Sequence, residues 1–399
     1  MLAFGAVSFF TDISTEMIYP LIPLFLSGVL GANATFVGAI EGTAETVASL
    51  LKLASGWISD KVSRRKALVV AGYALASFVR PFTAIAQSAT QVLAIRVTDR
   101  IGKGIRSSPR DALLADSVSP EARGRAFGFH SAADNAGAVI GPMIAFFILR
   151  SHGIGAMTAG QRLSPTQEAT LRNVFWWAAV PAFIALIVLV IAVRDVSRKG
   201  SAKDEAPAEV SLDSKLSKKF WYYLGVVLVF TLGNSTDAFL LLRANQLGVP
   251  LALTPVLWAS FNAIKAAVGT YASGLSDRVG RKPLIVGGWI VYAAVYFGFA
   301  KANAAWQAWA LFAVYGLFYA MTEGTERALV ADIVPSQRRG TAFGWYNLSI
   351  GLGALPASLI FGAIWDRVSP AAAFAFGATL ALIAAAGMAF VAPARATAA

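Results

Sequence analysis

Apolar residues run through this chain in long stretches, and short polar or charged intervals interrupt them at a nearly regular beat. A helix of roughly 20 such residues spans a hydrocarbon layer of about 30 Å. Twelve segments of that kind are legible, at about 3–27, 34–58, 66–87, 90–117, 124–149, 170–193, 219–242, 251–275, 283–300, 304–333, 339–363 and 370–393. A polar stretch of mixed charge, Arg194 to Lys219, separates six from six and reads as a tether. The pattern predicts an all-α membrane protein with twelve transmembrane helices in two six-helix bundles, residues 1–193 and 219–399, joined by a cytoplasmic linker at 194–218. The interval Arg150 to Arg172 is expected to hold a short helix capped by Ser164, Pro165 and Gln167. Residues 1–27 lack a basic leader and carry two carboxylates, so they are expected to form the first helix and not a cleaved signal.

The two halves share their wording. ALLADSVSPEARGRAFGF at Ala112–Phe129 returns as ALVADIVPSQRRGTAFGW at Ala328–Trp345, and GWISDKVSRRK at Gly56–Lys66 returns as SGLSDRVGRKP at Ser273–Pro283. Repeated halves packed around a midplane site are a common plan of secondary transporters.

Composition narrows the options. At 57% hydrophobic and 14% charged, the chain is too apolar for a soluble protein of its length. Its formal charge of +12 raises the question of nucleic acid, but the basic residues cluster in alternate loops (Lys61 to Lys66, Arg123 and Arg125, Arg278 to Lys282, Arg338 and Arg339), while Ser27–Thr35 and Gln87–Gln91 have none. That asymmetry places both termini and the linker in the cytoplasm, and nucleic acid is not expected as a partner. With no cysteine, and only His130 and His152 as imidazoles, neither a thiolate metal site nor a Cys nucleophile is available. HExxH, GxSxG and P-loop strings are absent, so no enzyme, resident cofactor or ATP drive is expected, and a gradient is left as the energy source.

The repeated loops resemble the major facilitator superfamily, over essentially the whole chain. GWISDKVSRRK is similar to the family's loop signature G-x-x-x-D-[RK]-x-G-[RK]-[RK], carried here by Gly56, Asp60, Lys61, Arg64 and Arg65, with Ser63 where the family prefers Gly. The second copy keeps Asp277, Arg278, Gly280, Arg281 and Lys282, with Ser273 in place of the first Gly. The resemblance implies that these groups, with Asp116 and Arg123 and with Asp332 and Arg339, form a cytoplasmic ionic latch that holds when the cavity opens outward. Gly137, Gly141 and Pro142 in GAVIGP resemble the first part of the antiporter signature G-x-x-x-G-P-x-x-G-G of the drug and proton exchange branch; Ala145 and Phe146 replace its last glycines. The same small residues also suit close helix packing.

A charge at the bilayer centre costs roughly 2.5 to 3.5 kcal/mol, so ionisable residues inside the segments mark either structural pairs or function. In the fourth segment Arg96, Asp99, Arg100, Lys103, Arg106, Arg110 and Asp111 recur at steps of three and four, a stripe that cannot face lipid. Asp12, Glu16, Glu41, Glu45 and Asp134 are available as partners. The family lines its cavity chiefly with its first, fourth, seventh and tenth helices. On that basis Asp12, Glu16, Asp237, Glu323 and Glu326 are candidate proton sites, and Arg106 and Arg110 are candidates to attract a carboxylate or phosphate. Tyr315, Tyr319, Trp258, Asn262 and Lys265 complete the candidate substrate wall.

The expectation is a secondary transporter of a bacterial inner membrane, a single chain working by alternating access and exporting a small organic molecule in exchange for protons. A symporter of an organic anion is the first alternative. Export of a divalent metal through carboxylate oxygens of the first and seventh helices is the second.

Overall fold

The computed structural model describes residues 2–61, 65–119, 123–152, 163–193, 216–335 and 338–391, and these are mostly helical, joined by short turns, without strands. They make twelve successive helices: 2–28, Ala34–Lys61, 65–85, Ala89–Asp116, Arg123–Ser151, 165–192, 218–246, 251–279, Arg281–Lys301, Ala305–Ile333, Arg339–Arg367 and Pro370–Ala389. They are called the first to twelfth helix below. The boundaries follow the apolar pattern closely, with one difference. Ser164 and Gln167 do form the capping box, with Pro165 in the first turn, and the short helix it opens, Pro165–Trp177, continues past a break at Ala178 as Ala179–Ala192, the two together making the sixth helix. The linker 194–215 and Arg64 lie outside the described residues, and so do the side chains of Asp60, Arg123, Asp277 and Arg339.

Eight of the twelve helices are long and apolar enough to cross a membrane by composition alone; the first, second, fourth and tenth are not among them. Those four carry Asp12, Glu16, Glu41, Glu45, the Arg96-to-Arg110 stripe, Glu323 and Glu326, and they are the ones that need shelter from lipid.

Packing follows the same plan twice. The second and third helices lie on the fourth as the eighth and ninth lie on the tenth, and the first packs on the fifth and sixth as the seventh packs on the eleventh and twelfth. The halves meet where the second helix runs along the eleventh and the fifth along the eighth. Along the first of these seams a methyl group on Gly38, Gly42 or Gly362 would meet Ser358 O at 2.4 Å, Leu355 Cα at 2.8 Å or Thr35 Cα at 2.6 Å, so main chain rests on main chain.

The first and seventh helices are interrupted at matching places, in the register that aligns Asp116 with Asp332. The first helix tightens to a 3₁₀ turn at Tyr19–Leu21, where Pro20 and Pro23 remove backbone donors. The seventh stops at Gly233 and resumes at Ala238, and the gap is filled by Asn234, Ser235, Thr236 and Asp237. Those residue types bond their own backbone as readily as they extend a helix. Interrupted helices in corresponding positions of two repeats point to the binding region of a carrier.

Candidate functional site

The charged stripe of the fourth helix is buried, with Arg96, Asp99, Arg100 and Arg106 each under a tenth exposed. Arg96 grips Glu41 of the second helix through two bonds, Nε to Oε1 at 2.9 Å and Nη2 to Oε2 at 2.6 Å. Asp99 receives Arg80 of the third at 2.8 Å, and Arg80 also donates to Ser14 Oγ at 2.6 Å in the first. Arg106 lies over the ring of Tyr73, 4.1 Å from its centre, and Arg110 bonds Asp111 at 2.8 Å. Bidentate or stacked guanidinium contacts such as these hold helices in register while satisfying most of the buried charge.

Between the halves lies a cavity of about 580 Å³. Asp12, Glu16, Lys103 and Asp134 line it from the first half, and Asn262, Lys265, Tyr319, Glu323 and Arg327 from the second. Its walls are half-buried at Asp12 and Glu16 and exposed at Glu323 and Arg327, so it opens toward the end of the molecule where the basic loops lie. Lys265 Nζ pairs with Glu323 Oε2 at 3.1 Å and sits over the Tyr319 ring at 5.2 Å. The indole of Trp258 donates to Glu16 Oε2 at 2.6 Å, and its ring lies 5.1 Å from that of Tyr19. The floor of the cavity is therefore built jointly by both halves.

A smaller compartment of about 250 Å³ sits at the break in the seventh helix, lined among others by Tyr19, Glu41, Glu45, Arg100, Asn234, Thr236, Asp237 and Tyr319. Tyr319 borders both spaces. Asp237 is held here by Tyr315, which donates to Oδ1 at 2.6 Å, and by Tyr319, which donates to Oδ2 at 3.4 Å.

The model of the Major Facilitator Superfamily matches residues 4–353 and 244–399. An uncharacterised MFS-type transporter of Methanocaldococcus jannaschii is 32% identical over 387 residues, covering 95% of this chain and 91% of the relative. The chain belongs to the Major Facilitator Superfamily. It is accordingly a multi-pass membrane protein of a secondary-transporter family, embedded in a lipid bilayer and built to move a small molecule. A probable 4-methylmuconolactone transporter of Cupriavidus pinatubonensis is 26% identical over 345 residues, 82% of this chain and 72% of the relative. Among solved structures, a D-xylose-proton symporter superimposes with a TM-score of 0.77 at 16% identity, covering 98% of this chain and 97% of that one, a likeness of fold.

Within this superfamily member the structure groups some of the sequence candidates and disperses others. Asp12, Glu16, Tyr319, Asn262, Lys265 and Glu323 share the larger cavity, and Asp237 faces the smaller one. Trp258 and Tyr315 touch the site through the carboxylates they bond. Glu326 is elsewhere: it is buried inside the second half, taking the Trp289 indole at 2.9 Å and the Tyr346 hydroxyl at 2.7 Å. Arg106 and Arg110 line neither space, being turned toward Tyr73 and Asp111. The resemblance gave no sign of this, because helical spacing locates a face and not the neighbour it meets.

Of the latch residues, Arg65 bonds Asp116 at 2.6 Å and Arg281 bonds Asp332 at 3.3 Å, an equivalent pair in each half that ties the third helix to the fourth and the ninth to the tenth. Arg278 is exposed, and a methyl group on Gly56 would make only an ordinary contact with Ser108 at 3.6 Å. Gly280 has φ 98°, a backbone shape that favours glycine at the turn before the ninth helix. Gly137 and Gly141 let the fifth helix lie directly on the first: a methyl group would strike Phe9 O at 2.6 Å and Ile13 O at 2.5 Å, with Asp12 Cβ at 2.9 Å and Glu16 Cβ at 3.2 Å beside them. Among the described residues no group of three or more His, Asp or Glu side chains is arranged to hold a metal ion.

Proposed function

We propose that this member is a proton-coupled exporter that moves a small organic molecule outward by alternating access, in a bacterial inner membrane, as a single chain with both termini in the cytoplasm. The observation that carries the reading is the placement of Asp12 and Glu16. The glycine face at Gly137 and Gly141 presses their helix against the fifth, so that both carboxylates stand in the wall of a cavity shared by the two halves. Neither carboxylate forms an ion pair among the described residues, and Glu16 reaches across to Trp258 of the other half. A carboxylate that meets water on one side in one state, and is shut off or re-paired in the other, changes its proton affinity with the conformation and so links a proton gradient to the cycle. Residues 1–193 and 219–399 act as the two rocking bodies, and the pairs Arg65–Asp116 and Arg281–Asp332 brace each body at its cytoplasmic end. Being partly exposed, such pairs are worth only about 0 to 1 kcal/mol each and bias the two states without locking them.

The test is flux in proteoliposomes under imposed proton gradients of both signs, with benzoate and methyl viologen as probes and an internal pH dye. Antiport predicts counter-movement of protons with the transported probe, and the pair Asp12→Asn and Glu16→Gln should lose that coupling while retaining probe exchange at equal pH. Protons moving in the same direction as the probe would instead establish symport.

A further inference from the structure

Among the described residues, Arg100 is the buried arginine of the stripe with neither a hydrogen bond nor a ring contact, although Arg106 on the Tyr73 ring also leaves Nη1 without an acceptor. Arg96 has Glu41 and Arg106 has the Tyr73 ring, while Arg80 answers Asp99 from the third helix. Arg100 is 7% exposed, forms no hydrogen bond or ion pair with any described residue, and its Nε is buried without an acceptor. The carboxylates of Asp99 and Glu45 lie near enough to balance its charge, but a buried N–H left without an acceptor is costly. It is also aimed at something. Arg100 lines the compartment of about 250 Å³ at the break in the seventh helix, opposite Asn234, Ser235 and Thr236; of the carboxylates that also line it, Glu41 is taken by Arg96 and Asp237 by Tyr315 and Tyr319, and Glu45 stands beside Lys103 and Arg100. That compartment has room for a few heavy atoms, and interruption of the helix leaves short polar side chains facing the guanidinium across the join between the halves.

We propose that Arg100 is the anion-recognition group of the carrier, and that the cargo is an organic acid whose carboxylate enters this compartment while the rest of the molecule lies in the larger cavity. The assignment rests on the reading of the chain as a carrier whose two halves share a central site; it gives the substrate class that reading leaves open. The role expected of Arg106 and Arg110 from the sequence passes to Arg100, which stands four residues after Arg96, held by Glu41, and three before Lys103, in the wall of the larger cavity. A guanidinium offers two parallel N–H donors to a carboxylate, and the bond gains strength in a compartment shielded from bulk water. Asn234, Ser235 and Thr236 belong to the opposite half, so a carboxylate bridging Arg100 and these side chains would draw the halves together at the break.

The experiment uses the full chain purified in detergent, with melting followed by tryptophan fluorescence. The probes are benzoate, glutarate and citrate, with benzamide and choline as neutral and cationic counterparts. At least one carboxylate should raise the melting temperature of the wild type by several degrees, since a ligand that binds only the folded form stabilises it by mass action. Benzamide and choline should not, and Arg100→Met should weaken carboxylate binding at least tenfold. Without ligand, Arg100→Met should melt close to the wild type, whereas Arg96→Met, which strands the doubly bonded Glu41, should melt several degrees lower. The proposal is overturned if no carboxylate stabilises the wild type, if benzamide or choline does so equally, if Arg100→Met keeps the carboxylate response, or if ligand-free Arg100→Met falls as far as Arg96→Met. Proton-coupled flux of methyl viologen with no carboxylate response would sink this assignment and leave the carrier reading standing.

Discussion

Asp366, at the end of the eleventh helix, caps the second helix from the other half of the molecule: Oδ2 accepts the Thr35 amide at 2.8 Å and its hydroxyl at 2.6 Å, and Oδ1 accepts the Ala34 amide at 3.1 Å. The first amides of any helix lack partners of their own, and a carboxylate there also meets the positive end of the helix dipole. Because donor and acceptor belong to different halves, the cap exists only while this end of the molecule is shut.

Replacing Asp366 should therefore loosen that end. Loss of a capping group costs about 0.5 to 2 kcal/mol, enough to raise the open population several-fold. The chain has no cysteine, so a single Ser358→Cys reporter in the seam, at a residue 1% exposed, reads opening without background. Asp366→Ala should increase its labelling by a membrane-impermeant maleimide several-fold, and an unchanged rate would show that the cap does not hold the seam closed.

Gly137 and Gly141 should tolerate no side chain. The atoms a methyl group would strike are carbonyl oxygens of the first helix, at 2.6 and 2.5 Å, which cannot move aside without shifting the helix that bears Asp12 and Glu16. Gly137→Ala and Gly141→Ala should each cost about 1 to 3 kcal/mol, the usual range for overpacking. Gly128→Ala, where nothing lies within 4 Å, should melt with the wild type. Equal melting temperatures for all three would contradict the packing described.

Glu323 and Glu326 should behave differently despite standing one turn apart. Glu326 accepts from both Trp289 and Tyr346 in the interior of the second half; the amide of Glu326→Gln has one acceptor oxygen, so keeping the Trp289 bond turns its NH2 to Tyr346 and leaves the Tyr346 hydroxyl proton without its acceptor. A buried group left unsatisfied costs about 1 to 3 kcal/mol, and the variant should melt several degrees lower. Glu323 has a side chain 47% exposed and loses only its bond to Lys265. Glu323→Gln should change stability by no more than about 1 kcal/mol.

The helix count and the internal repeat were both legible from apolar spacing, since the signal that defines each helix is its own composition. The repeat even carried over to bonds, as Arg65–Asp116 and Arg281–Asp332 show. The site was legible only in part. Residue type and depth pointed to Asp12, Glu16, Lys265 and Asp237, which do border the shared cavities. What spacing could not reveal was which neighbour each charge meets, and that separates Arg106 on Tyr73 from Arg100 at the compartment, and Glu326 among aromatic donors from Glu323 in water. Asp366 left no trace in the pattern, because its partner lies 331 residues away and is backbone. The interruption at Asn234 to Asp237 did have a signal, a run of four turn-forming residues inside an apolar segment.

The seam of the second and eleventh helices has a mechanical consequence. With glycines at Gly38, Gly42, Gly351 and Gly362, few bulky side chains mesh across it, and the two backbones meet as smooth cylinders. Surfaces that do not interlock can roll over one another without any side chain having to change rotamer. Once the Asp366 cap and the Thr46 Oγ1 bond to Gly351 O have parted, the line of contact would offer little side-chain resistance to a modest rotation of one half on the other.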